Sequence, residues 1–207
     1  MVNVENKALS CIGYGLYVLT ARENEKDNGC IVNVVAQVTD TPPRMLITVN
    51  KKNLTHDMIM NTRKFNVSAL TEETPMYVFE HFGFQSGRDV NKFQNCEAEH
   101  RSQNGILYIP KFTNAYISGE VVNTIDLGTH TLFIAEIVEA KQLSEKPSLT
   151  YNFYHRHIKP APVAKETNVT RWVCKVCGYV YEGENIPADF VCPWCKHGAS
   201  DFEKLEN

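Results

Sequence analysis

The sequence predicts a mainly β chain, a barrel or sandwich carrying a few short helices, with a small metal-binding unit at its C-terminal end. Three observations point there. Runs rich in β-branched and aromatic residues fill most of the chain before residue 157, helical patches are few, and four of the seven cysteines fall between Cys174 and Cys195 as two C-x-x-C pairs.

The runs come in order as YGLYVLTA, CIVNVVAQVT, RMLITVN, FNVSAL, AYISGEVVNTIDL and HTLFIAEIVEAKQL, bounded by Gly, Pro, Asn and Asp. Side chains branched at Cβ fit a pleated, half-buried surface, and the flanking residues favour turns. The last two runs, near 116–126 and 130–142, are split by Gly128-Thr129, which suits a hairpin. NLTHDMIMNTRK (53–64) reads as a helix, with Asn53 or Thr55 as N-cap and basic residues in the last turn. TPMYVFEHFG (74–83) reads as another, with Thr74 as cap and Pro75 at the first helical position. His157 to Thr170 holds two closely spaced prolines and little apolar content, so the chain divides into residues 1–158, a linker at 159–170 and a unit at 171–207.

A hydrophobic fraction of 43% with 22% charged residues describes a globular chain, and a net charge of −3 gives no electrostatic case for a nucleic-acid partner. No apolar run is long enough to span a bilayer, and MVNVENKALS lacks the basic-then-apolar pattern of a signal peptide. A cytoplasmic address is expected. Cys11, Cys30 and Cys96, which fall outside the two C-x-x-C motifs, suit a reducing compartment and read as small buried apolar residues.

Cys174, Cys177, Cys192 and Cys195 can together complete a tetrahedral shell of four sulfurs, the 14 residues between the pairs suiting a ribbon. A unit of 37 residues is too small to hold by apolar burial alone, so the metal is part of its stability. Spacing admits iron or zinc. Trp172, Tyr179, Tyr181, Phe190, Trp194 and Phe202 supply an aromatic surround, and a dry, closed sulfur shell suits one-electron iron cycling. The pattern WVCKVCGYVYEG, CPWC, DFEKL resembles a rubredoxin over residues 171–205, which implies an electron carrier with one iron on four thiolates. Lys196 departs from it, standing where rubredoxins usually place Gly, and Gly198 could compensate.

An iron carrier needs a donor, and a flavin is the cofactor that takes a hydride pair and releases single electrons. Before residue 160 there is no second four-cysteine cluster and no G-x-G-x-x-G fingerprint. Asn50-Lys51-Lys52-Asn53-Leu54-Thr55 offers backbone N–H groups, hydroxyls and a cation at a helix start, as a phosphate requires. NVVAQVTDTPPRMLITVNKKNLTH (33–56), with GLYVLTA before it and HFGFQSGRDVNKF (81–93) and LGTHTLFIAEIVEA (127–140) after it, resembles the flavin reductase-like, FMN-binding split β-barrel over about residues 8–158. The resemblance implies a flavin site drawing on Asn33, Ala36, Gln37, Val38, Thr39, Asn50, Lys51 and Thr55, with Ser86, Gly87, Arg88 and Lys92 as a second polar loop. His130 matches a histidine that such reductases keep near the ring, where it would help seat the nicotinamide.

Together the two parts resemble fusions of a flavin reductase with a rubredoxin, the high-molecular-weight rubredoxin type. That resemblance implies an NAD(P)H oxidoreductase passing electrons through FMN to iron, a homodimer with FMN near the subunit interface, and a flavodiiron protein as acceptor. The competing expectation is a non-catalytic flavin-binding relay whose C-terminal unit is a structural zinc ribbon used for docking.

Overall fold

A computed structural model describes residues 5–9, 11–94, 100–160 and 170–205. Most of the linker expected at 159–170, and Cys96, lie outside the described residues.

After a short α1 (Asn6–Leu9), the chain forms β1 (Tyr17–Glu23), β2 (Lys26–Val32), β3 (Val35–Asp40), β4 (Pro43–Asn50), α2 (Leu54–Thr62), β5 (Lys64–Leu70), α3 (Met76–Gly83), β6 (Thr113–Asp126) and β7 (His130–Gln142). All seven strands join one antiparallel sheet in the order β2-β1-β5-β6-β7-β4-β3. Its two edges, β2 and β3, are separated in the chain only by Asn33 and Val34. The sheet therefore curls until its edges nearly meet, and register shifts in the β6–β7 pair at Ser118/Gly119 and Val121/Asn123 add to the bend. Gly119 is small for a reason, since a Cβ there would overlap the Phe65 ring.

Alternation along β1 fills two cores. Leu19 and Ala21 point into a cluster with Met45, Ile47, Phe65 and Phe133, inside the curl. Val18, together with Leu16, points the other way, onto Phe79 and Phe82 of α3 and onto Leu149 and Tyr154. Leu149 precedes α4 (Tyr151–Phe153), and Tyr154 opens the helical turn that follows it, Tyr154–Ile158. The helices hold two corrections to the sequence reading. Pro75 is the N-cap of α3, and Thr74 instead donates its hydroxyl to the carbonyls of Thr71 and Phe112, closing the preceding turn. In α2, Arg63 lies past the last turn in the left-handed conformation, leaving no basic residue in that turn.

The C-terminal unit is a three-stranded sheet, β8 (Arg171–Cys174), β9 (Val180–Glu182) and β10 (Phe202–Lys204), in the order β10-β8-β9. Among the described residues no helix is long and apolar enough to cross a membrane. Cys30 is buried as expected, whereas Cys11 is exposed, because residues 11–13 precede the first strand.

Candidate flavin pocket and four-cysteine centre

Two hairpin turns build the cysteine centre. Gly178 N donates to the Cys174 carbonyl at 2.8 Å and Lys196 N to the Cys192 carbonyl at 2.9 Å, so each C-x-x-C pair closes on its own backbone. Both closing residues are left-handed, Gly178 at φ 82° and Lys196 at φ 62°. Gly198 is extended and gives no compensation; Lys196 itself takes the conformation in which a Cβ is crowded.

The four sulfurs lie within 4.8 Å of one another, with Cys174 Sγ 3.6 Å from Cys195 Sγ and Cys177 Sγ 3.5 Å from Cys192 Sγ. Tetrahedral bonds of about 2.3 Å place sulfurs about 3.8 Å apart, close to this spacing. The thiol chemistry also calls for a cation. Hydrogen bonds from Cys177 and Cys195 hold the Cys174 thiol far below its usual range, while the hydrogen bond to Cys174 pushes Cys177 up to about 12 and drives Cys195 up as well. A metal ion relieves that conflict by taking all four as thiolates. Tyr179, Tyr181, Phe190 and Phe202 pack round the sulfurs with Trp172. Trp194, expected in this surround, meets Tyr179 edge-on at 5.4 Å but is 45% exposed and also stacks on Phe84 beyond α3, ring centroids 6.3 Å apart and planes 14° from parallel.

A cavity of about 530 Å³ lies beside that stack, a size suited to a cofactor. Its barrel wall includes Asn33, Asn50, Thr55, Ser86, Gly87, Arg88 and Lys92 from the expected set, brought together by the β2–β3 junction, the start of α2 and the loop after α3. Asn28, Cys30, Asn53, Phe84 and Tyr154 join them, and the opposite wall is Val176 with Cys195, Lys196 and His197 of the cysteine centre. Asn28 gives the cavity its clearest sign of a missing partner. Its Nδ2 donates to Thr55 Oγ1 at 2.9 Å, while its buried Oδ1 accepts nothing among the described residues. Gly87 presses so closely on Asn28 that a Cβ there would overlap the amide. An open acceptor and a glycine-lined floor, beside hydroxyls and cations, fit a polar, phosphate-bearing cofactor.

Charge is arranged around this space. Lys92 is 4% exposed and donates from Nζ to the carbonyls of Gly29 and Phe82, each at 2.9 Å. Burial pulls its ammonium down to about 8. Burial pushes the nearby Cys30 thiol up, against the opposing pull of Thr55 and Lys92. Arg88 pairs with Asp57 at 2.6 Å, and its backbone N–H is held by Ser86 Oγ at 3.1 Å. Burial acts to raise the Asp57 carboxyl, but hydrogen bonds from His56 and Arg88 outweigh it and hold it below its usual range.

The remaining expected residues lie outside this cavity. Ala36, Gln37, Val38 and Thr39 are exposed on β3, the open edge of the sheet, with Gln37 hydrogen-bonded to Asp40 and Thr39 to the Pro42 carbonyl. Lys51 pairs with Asp126 at 2.7 Å. His130 lines a smaller cleft with Asn33, Asn50 and Asn53, next to the cavity, and its imidazole is held below the usual range by burial and then by His197. Asn28 escaped the sequence reading because its Asn-Gly pair reads as a turn, whereas it sits inside β2 opposite Ala21.

Residues 9–162 match the family described as Flavin reductase like domain, and residues 172–203 match Rubrerythrin, rubredoxin-like domain. The chain is 33% identical to the High molecular weight rubredoxin of Moorella thermoacetica, the alignment covering 98% of this chain and 100% of that one. It is 38% identical to a Ferric-chelate reductase (NAD(P)H) of Archaeoglobus fulgidus over 70% of this chain and 85% of the relative. Among solved structures, the NADH:FAD oxidoreductase SgcE6 of Streptomyces globisporus C-1027, in complex with NAD and FAD fragments, superposes with a TM-score of 0.63 at 21% identity, covering 80% of this chain and 100% of that one.

Proposed function

The chain belongs to the flavin reductase like family and ends in a rubredoxin-like domain, and from that premise we propose that it is an NAD(P)H-dependent oxidoreductase passing electrons through FMN to one iron held by Cys174, Cys177, Cys192 and Cys195. One observation supports this reading above the others: Cys195, with Lys196 and His197, lines the same cavity as Asn33, Asn50, Thr55 and Lys92. Donor site and carrier share a wall.

Bound FMN supplies the conversion of a hydride into single electrons, and bound iron supplies a one-electron ferric–ferrous couple. The protein's part is to bind, orient and keep dry. Asn50, Thr55, Ser86 and Arg88 would hold the phosphate and polar edge, the start of α2 adding its unpaired N–H groups. Asn28 Oδ1 would accept from the cofactor, and Lys92 would place a positive charge beside it. Phe82, Phe84 and Tyr154 give the cavity an apolar lining. His130, in the adjoining cleft and held toward its neutral form, would help seat the nicotinamide. The balance is one NAD(P)H and two ferric sites giving NAD(P)+, two ferrous sites and one proton to solvent.

A second copy would cover the open edge at β3 and the exposed Val38, Val122, Ile125 and Val138, bringing Ala36–Thr39 to a cofactor near the interface. The downstream acceptor, on the resemblance, is a flavodiiron protein.

Anaerobic titration with NADH and NADPH tests the reading. The purified protein should show flavin bands and a thiolate-to-iron charge-transfer band, both bleaching as the nicotinamide is added. Zinc in place of iron would remove the carrier role, and a flavin that stays oxidised under excess of both nicotinamides would remove the reductase role.

A further inference from the structure

A positive charge from outside the cysteine centre lies against it. Lys159 follows the helical turn Tyr154–Ile158, falls within the flavin reductase match and is half-buried. Its backbone N–H is tied to the Tyr154 carbonyl at 2.8 Å, and its Nζ donates to the carbonyl of Lys175 at 2.9 Å, inside the first C-x-x-C turn. Its Cε stands 3.4 Å from where a Cβ on Gly178 would be, so the stem of the side chain lies along that turn. Burial holds its ammonium below the usual range, and Cys174, Cys177, Glu203 and Cys195 oppose that pull.

The centre's own lysines are placed differently. Lys175 is exposed and reaches away to the Ser200 carbonyl at 3.2 Å, Lys196 is exposed at the second C-x-x-C turn, and Lys204 is exposed on β10. Of these four, Lys159 alone reaches the centre from the barrel.

We propose that Lys159 is a tuning residue for the four-cysteine centre, raising its reduction potential for as long as the centre rests on the barrel. The inference rests on the iron reading above. Four thiolates with ferric iron carry a charge of −1, and with ferrous iron −2, so a fixed cation stabilises the reduced form more. The step is the gain of one electron, taken from the reduced flavin; all four iron–sulfur bonds persist and no proton moves at the metal. Half-burial keeps the charge from being fully screened by salt.

The test uses the full-length, iron-loaded protein, with the midpoint potential read by spectroelectrochemical titration of the iron–thiolate band. Poised at the wild-type midpoint, Lys159→Met should hold at least threefold less ferrous relative to ferric iron. Lys159→Arg should recover most of the loss, and Lys204→Met, the same change of net charge at an exposed site of the same unit, should shift the ratio by less than half as much. An unchanged midpoint in Lys159→Met with its absorption spectrum intact overturns the proposal. So does an equal shift in Lys204→Met, which would assign the effect to net charge. Should the purified protein hold zinc, the electron-carrier reading falls, and the Lys159 comparison is then read on protein reconstituted with iron.

Discussion

Gly87 and Lys196 occupy positions where one carbon decides the outcome. A Cβ at Gly87 would overlap the Asn28 amide, whose buried Oδ1 has no partner among the described residues. Gly87→Ala should therefore turn that amide and weaken FMN binding about tenfold, roughly 1.4 kcal/mol, in a fluorescence titration of the apoprotein; an unchanged dissociation constant would show that Asn28 does not face the flavin. Lys196 is the reverse case, a side chain held at φ 62° where Gly178 sits in the matching turn. Lys196→Gly should stabilise the C-terminal unit by about 1 kcal/mol, seen as a later denaturant midpoint of the iron–thiolate band. The cysteines were legible in the sequence because metal ligation imposes a local spacing, two ligands per short turn. Asn28 and Lys159 were not, since each gains its meaning from a neighbour that only the fold brings close.

Lys92 pins α3 to β2, through the carbonyls of Phe82 and Gly29. It does so as a buried cation whose pKa is lowered from 10.5 to about 8 by burial. Between those values the unfolded chain binds more protons than the folded one, so this group's contribution to stability rises with pH through that window. Below about pH 8 the cost of the buried charge is present in full, about 3 kcal/mol for a shift of this size, and above it the cost is relieved. Wild-type stability measured against Lys92→Met in urea should therefore improve from pH 7.5 to pH 10, and a difference that stays flat would mean that Lys92 titrates normally. Strand content and the β6–β7 hairpin could be read from β-branched runs and Gly128, whereas the order β2-β1-β5-β6-β7-β4-β3 could not, because its pairings join residues far apart in sequence. The same limit separates Ala36–Thr39 from the cavity. Resemblance names residues, but their place on an open edge is a matter of sheet order.

A hydride brings two electrons and each chain offers one four-cysteine centre, so the second electron waits until the first has left. On the proposed reading, the contact between centre and barrel, Trp194 on Phe84 and Lys159 on Lys175, would have to hold across the interval between two departures. Trp194→Ala should loosen it and slow flavin-to-iron transfer after rapid mixing with NADH, with the iron–thiolate spectrum preserved; transfer at the wild-type rate would show that the stack is not the latch. On the same reading, the wall that Val176, Cys195, Lys196 and His197 give the cavity would also cover the flavin during that wait. A reduced flavin exposed to air gives its two electrons to dioxygen as hydrogen peroxide. The docked centre is then a shutter as well as an outlet, and the loosened variant should leak peroxide several times faster than the intact protein under the same NADH and oxygen.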